Sequence, residues 1–159
     1  KDGITVALVF VVLAWSSAAF ADFSGKVVAV KDGDTLEVMK EEGAVRVRLY
    51  GIDCPEKGQA FGQRAKQAAS DLTFWKTVKV IEKDRDRYGR TVGEVILEDG
   101  RPLNRERVRA GLAWWYRHYA TKDATLAKLE QGAREAKRGL WADADAVPSW
   151  NWRKERRPK

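Results

Sequence analysis

The sequence predicts an α+β fold, a small closed barrel of five strands of the OB type with three helices around it, and three observations carry that expectation. Short valine-rich or alternating segments recur at the length of strands, turns rich in Gly and Asp separate them, and a helix falls after the third strand. A parallel sheet would need a crossover helix after nearly every strand, and this order of elements lacks them.

Residues 23–31 read as the first strand and residues 35–40 as the second, with Lys31-Asp32-Gly33-Asp34 as the hairpin turn between them. After a second turn at Glu41-Glu42-Gly43, the apolar Val45, Val47 and Leu49 alternate with Arg46, Arg48 and Tyr50. One face of this third strand is therefore apolar and the other carries arginine. Pro55 stops the strand, and Ala65, Ala68, Ala69 and Leu72 at helical spacings predict an amphipathic helix over 60–74. Residues 78–83 and 91–97 give two further strands around the charged loop 84–90. Asn104 is the expected N-cap of a short second helix closed by Gly111. A third helix is expected over 124–137, with Leu126, Leu129, Ala133 and Ala136 along one stripe and Gly139 as its stop. Strand order cannot be read from periodicity.

The 159 residues suffice for one domain with one core. Lys and Arg number 30 against 23 Asp and Glu, and the formal balance of +7 favours a polyanionic partner. Residues 4–14 are apolar except for Thr5, and Ala19-Phe20-Ala21 supplies the small-x-small pattern accepted by signal peptidases. The apolar run is shorter than the roughly 20 residues needed to span a bilayer. Residues 1–21 are thus expected to be a removed export signal, leaving a periplasmic or secreted domain over 22–146 with no membrane association. The end of the chain, Arg153-Lys154-Glu155-Arg156-Arg157-Pro158-Lys159, makes 147–159 an expected basic, disordered tail. Cys54 is the single cysteine, which excludes an internal disulfide. With His118 the single histidine, a Cys/His zinc site lacks the ligands it would need.

Three segments concentrate acids, arginines and turn residues: Asp32-Gly33-Asp34-Thr35, then Arg48 to Glu56, and Asp86-Arg87-Tyr88-Gly89-Arg90. Hard divalent cations such as calcium take several oxygen ligands, and carboxylates from separate loops can supply part of that shell. Asp34 and Asp53 are the candidates. Hydrolysis of a phosphodiester builds negative charge at phosphorus, which guanidinium forks answer with paired hydrogen bonds, and Arg48 and Arg90 suit that task. Glu56, just past a rigid proline, is placed to position or deprotonate a water. Each fragment alone has a plainer explanation: Asp-Gly-Asp is an ordinary hairpin turn, and an arginine on a strand's polar face is commonly a solvated charge. The joint appearance of all of them, in this order and on these elements, is what points to a site.

From Val27 to Trp141 the chain resembles the thermonuclease, or staphylococcal nuclease, family. The resemblance lies in the Asp-Gly-Asp-Thr hairpin, the segment from Arg48 through Asp53 to Pro55-Glu56, and the Tyr88-Gly89-Arg90 loop. Leu103-Asn104 and Val108 to Ala113 add to it. It implies a five-stranded OB barrel with three helices and calcium-dependent cleavage of DNA and RNA, single-stranded or frayed by preference, leaving 3′-phosphate ends. It further implies that Asp34, Asp53 and the main-chain carbonyl of Cys54 bind the metal. By the same resemblance Arg48, Glu56 and Arg90 are catalytic, Tyr88 meets a terminal phosphate, and Tyr119 meets a base. Arg117 falls where a second base-contacting tyrosine would stand, so Tyr116 is the candidate substitute; these aromatics equally suit a barrel-capping core. The competing function is a non-catalytic OB module that holds single strands, and the retention of Asp34, Asp53 and Glu56, which repel phosphate, argues for the enzyme. A monomer is expected.

Overall fold

The computed structural model describes residues 20–156. The export signal expected over 1–21 lies almost wholly outside the described residues, as do residues 157–159. The described residues form seven strands: β1 (Phe23–Val30), β2 (Thr35–Lys40), β3 (Gly43–Leu49), β4 (Ile52–Asp53), β5 (Thr77–Arg85), β6 (Thr91–Ile96) and β7 (Trp114–Trp115). Four helices accompany them: α1 (Gly62–Thr73), α2 (Leu103–Arg109), α3 (Ala124–Glu135) and α4 (Ser149–Glu155).

The five expected strands close into a barrel in the order β1-β2-β3-β6-β5, with β5 paired back onto β1. All pairings are antiparallel except β3 with β6, which run parallel through Val47↔Thr91, Arg48↔Val92 and Leu49↔Gly93. Alternation puts Val27, Leu36, Val38, Val47, Leu49, Val78, Val80 and Val95 inside, all essentially inaccessible to solvent. A β-branched and leucine filling of this kind packs a small barrel without leaving a channel. Ala65 and Ala69 of α1, also fully buried, let that helix sit close to the barrel.

Two expectations fail here, each for a physical reason. Asn104 does not cap α2; it lies within the helix, whose N-cap is Pro102. Its amide is spent elsewhere: Oδ1 accepts from Val95 N at 3.1 Å while Nδ2 donates to Tyr50 O at 2.8 Å and Gly93 O at 3.3 Å. The side chain thus ties the end of β3 to β6 behind the barrel wall. The second departure is the basic tail, part of which folds. Trp150 packs edge-on against the buried Trp114, with ring centroids 6.1 Å apart, and Ser149 is fully buried. Apolar burial of this kind outweighs the solvation of the charged residues that follow. α4 is accordingly a fourth helix beyond the three expected.

β4 and β7 form a separate two-stranded sheet through Ile52↔Trp115 and Asp53↔Trp114. This pairing, with Tyr116 N donating to Gly51 O at 2.8 Å, fastens the aromatic segment beside the end of β3.

Candidate active site

The site begins at the β1–β2 turn. A Cβ added to Gly33 would stand 2.8 Å from Cys54 Cβ and 2.9 Å from Ala65 Cβ, so glycine is what lets the turn lie against Cys54, just past β4, and against α1. Asp32 Oδ1 accepts from Asp34 N at 3.0 Å, an Asx turn that aims Asp34 inward. There Asp34 Oδ2 accepts from Cys54 N at 2.6 Å and Oδ1 from Thr35 Oγ1 at 3.2 Å. Burial pushes the Asp34 carboxyl up to about 6 against the pull of the Arg48 guanidinium, and Asp32 adds to the rise.

The β2–β3 register places Arg48 opposite Thr35, which brings it to the same end of the barrel. Its Nη1 lies 2.9 Å from Asp34 Oδ2 and its Nη2 2.7 Å from Asp53 Oδ1, so one guanidinium spans both aspartates. Burial alone would lower its affinity for the proton, but Asp34 and Asp53 overturn that and hold Arg48 above its ordinary value. Arg46, two residues earlier on the same face, stays exposed and pairs with Glu37.

Arg90 reaches the site from the β5–β6 loop, where Asp86 organises the turn. Asp86 Oδ1 accepts from Tyr88 N at 2.9 Å and Arg90 N at 3.0 Å, and its Oδ2 accepts from Arg90 Nε at 2.6 Å. Burial alone would raise the Asp86 carboxyl; the hydrogen bonds from Arg90 and Tyr88 win and lower it. Gly89, at φ 76°, closes the turn. Tyr88 is 69% exposed, and the Arg90 guanidinium lies 5.7 Å from its ring centroid.

Asp34, Arg48, Asp53, Cys54, Glu56, Tyr88, Arg90, Tyr116 and Tyr119 all line one cleft of about 690 Å³. No sequence-predicted site residue lies elsewhere. Within 114–119 the two readings divide between residues: Trp114 is core, whereas Tyr119 is 58% exposed and Tyr116 is half-buried with its ring 5.3 Å from that of Tyr119.

Among the described residues, no group of three or more His, Cys, Asp or Glu side chains is disposed to hold a metal ion by itself. What faces the cleft is a pair of buried carboxylates bridged by one guanidinium. Such an oxygen-only pair fits a hard divalent cation that takes the rest of its shell from main-chain oxygens and water.

A family model for staphylococcal nuclease homologues matches residues 46–143. The chain is 48% identical over 148 residues to an "Uncharacterized endonuclease" of Escherichia coli O157:H7, covering 93% of this chain and 95% of that protein. It is 46% identical over 153 residues to the "Micrococcal nuclease" of Shigella flexneri, covering 91% and 88% of the two chains. An "Uncharacterized endonuclease" of Haemophilus influenzae is 38% identical over 149 residues, 93% of this chain and 82% of its own.

The chain belongs to the staphylococcal nuclease family.

The family match takes in Arg48, Asp53, Glu56 and Arg90 and stops before α4. Two residues of this staphylococcal nuclease homologue that sequence reasoning missed lie on that helix. Arg153 Nη2 stands 2.7 Å from Asp53 Oδ2 and its Nη1 2.6 Å from Glu56 Oε1. Ser149 Oγ donates to Asp53 Oδ2 at 2.6 Å. A signal for them was present: Pro148-Ser149-Trp150-Asn151-Trp152 carries two tryptophans, and disordered segments are poor in aromatics.

Proposed function

We propose that this chain is a calcium-dependent endonuclease that hydrolyses DNA and RNA, single-stranded or frayed by preference, to products with 3′-phosphate ends, and that it acts as an exported monomer. Membership of the staphylococcal nuclease family makes it a nuclease, a hydrolase of phosphodiester bonds. The observation that carries the finer reading is the lining of a single cleft by Asp34, Arg48, Asp53, Glu56 and Arg90, residues drawn from three separate segments.

In this reading Asp34, Asp53 and the Cys54 carbonyl would hold a calcium ion. When bound, it supplies positive charge to a phosphate oxygen and lowers the pKa of a coordinated water. Arg48, beside the two aspartates it bridges, and Arg90, beyond its Nε bond to Asp86, each bring N–H donors to the non-bridging phosphate oxygens and bind the charge that grows on them in the transition state. Glu56, whose side chain is 42% exposed to the cleft, accepts the proton of the attacking water at a carboxylate oxygen. Water adds to phosphorus, the bond to the 5′-oxygen breaks with its electron pair going to that oxygen, which takes a proton from solvent, and the phosphate stays on the 3′ side. Tyr88, Tyr116 and Tyr119 offer ring faces on which bases of any sequence can stack, with Tyr88 also within reach of a terminal phosphate. The apolar run 4–14 ahead of Ala19-Phe20-Ala21 supports export, which mass spectrometry of the mature N-terminus tests.

Digestion of single-stranded DNA and RNA with calcium or with excess chelator, followed by mass analysis of the fragments, tests the reading. Calcium-dependent release of 3′-phosphorylated fragments from both is expected. Undiminished digestion under chelator, or 3′-hydroxyl ends, would refute it.

A further inference from the structure

The C-terminal helix, with Val147 just ahead of it, meets the segment from Asp53 of β4 to Gln59 and the aromatic residues beside that segment at four points. Ser149 Oγ, fully buried, donates to Asp53 Oδ2 at 2.6 Å. Arg153 bridges Asp53 Oδ2 at 2.7 Å and Glu56 Oε1 at 2.6 Å. Gln59 accepts from Glu56 N at 3.1 Å and donates to the carbonyl of Val147, just ahead of the helix. Trp150 lies against both Trp114 and Tyr116, at 6.1 and 5.3 Å between centroids, and Trp114 is itself the strand partner of Asp53.

An ionised carboxylate offers about four lone-pair sites. Oδ2 is filled by Ser149 and Arg153, and Oδ1 takes Arg48 Nη2 at 2.7 Å and only a long 3.5 Å contact from Arg153 Nη1. The carboxylate plane is therefore fixed from two sides, and Oδ1 is the oxygen left with room for a further partner. Glu56 has the same anchor, because the guanidinium that holds Asp53 also holds its Oε1.

We infer that α4 is a working part of the site, with Ser149 and Arg153 as positioning residues that orient Asp53 towards the cation and hold Glu56 at a fixed distance from it. The inference rests on the reading above that Asp53 holds calcium. Hydrogen-bond partners behind a metal ligand fix its orientation, and their loss typically weakens metal binding about 10- to 100-fold. Arginine suits this bridge because its planar fork reaches two carboxylates at once, which a lysine ammonium does not do with the same geometry.

Calorimetric titration of calcium into the full chain and into Ser149→Ala, Arg153→Gln and Arg153→Lys tests this, with Lys154→Ala, on the exposed side of α4, as control. Steady-state rates and thermal melts in chelator accompany each titration. Ser149→Ala and Arg153→Gln are each expected to weaken calcium binding about tenfold and to lower kcat with little change in KM. Arg153→Lys should recover part of the loss, and Lys154→Ala should match the parent. Should Ser149→Ala fail to fold, the half-exposed Arg153 variants still decide. Parent-like calcium affinity in a folded Arg153→Gln, or tighter binding because the guanidinium competes with the cation, would overturn the inference. A parent chain that binds no calcium would instead overturn the calcium reading, and the role of α4 with it.

Discussion

Arg48 Nη2 lies 2.7 Å from Asp53 Oδ1, so the guanidinium proposed to bind phosphate is also the one that neutralises a buried carboxylate. Asp34 stands on its other nitrogen at 2.9 Å. Phosphate, cation and aspartates are thus coupled through one side chain. Arg48→Ala should lose turnover by a factor of about 10² to 10³, as for removal of a single transition-state donor. It should also leave the buried Asp34 carboxylate without its ion-pair partner and Asp53 with Arg153 alone, and breaking such a buried pair costs about 3 to 5 kcal/mol. A thermal melt of Arg48→Ala should therefore fall well below the parent in chelator and recover in calcium. An unchanged melting temperature in chelator would contradict the pairing.

Arg90 makes a cleaner catalytic test. Its ion pair with Asp86 is partly exposed, and such pairs contribute about 0 to 1 kcal/mol. Arg90→Ala should keep the parent's stability while turnover drops about 10²- to 10³-fold. A variant that digests single-stranded DNA at the parent rate would remove Arg90 from the mechanism.

Asn104 offers a test of the fold apart from the chemistry. Asn104→Ala leaves the buried Val95 N–H without its acceptor and strips Tyr50 O and Gly93 O of a donor. An unsatisfied buried group costs about 1 to 3 kcal/mol, so urea denaturation should show a loss of this order. If Asn104 were only a helix cap, a serine would restore most of the stability; the three-way bridge predicts that it does not.

Cys54 is buried, and burial pushes its thiol well above the ordinary range, with Asp34 adding to the rise. Little thiolate exists at neutral pH, and the sulfur is out of reach. Labelling by a maleimide at neutral pH should be negligible in the native protein and rapid in denaturant. Fast native labelling would show that the Asp34–Cys54 contact opens.

The barrel was legible because its strands obey a period of two over a valine-rich core, and β2 falls on the expected residues 35–40. The members of the cleft were legible because each sits at a strand end or in a tight turn with its own local signature. The parallel closure of β3 on β6 was not, since a register between distant segments leaves no mark on either alone. Asn104 misled for a related reason: its type suits a cap, and only the tertiary fold brings Tyr50, Gly93 and Val95 within reach of its amide. The tail misled through charge. Its cations outweighed Trp150 and Trp152 in composition, whereas in space Trp150 packs on Trp114 and Tyr116 and carries Arg153 to the acids.

A crystal structure of the protein with calcium and a short oligonucleotide bearing a terminal phosphate decides whether cation and phosphate meet in this cleft. One cation is expected in contact with the Asp34 and Asp53 carboxylates, with a phosphate against Arg48 and Arg90. A cation or phosphate bound away from that cleft, in a complex that is competent to turn over, would contradict it.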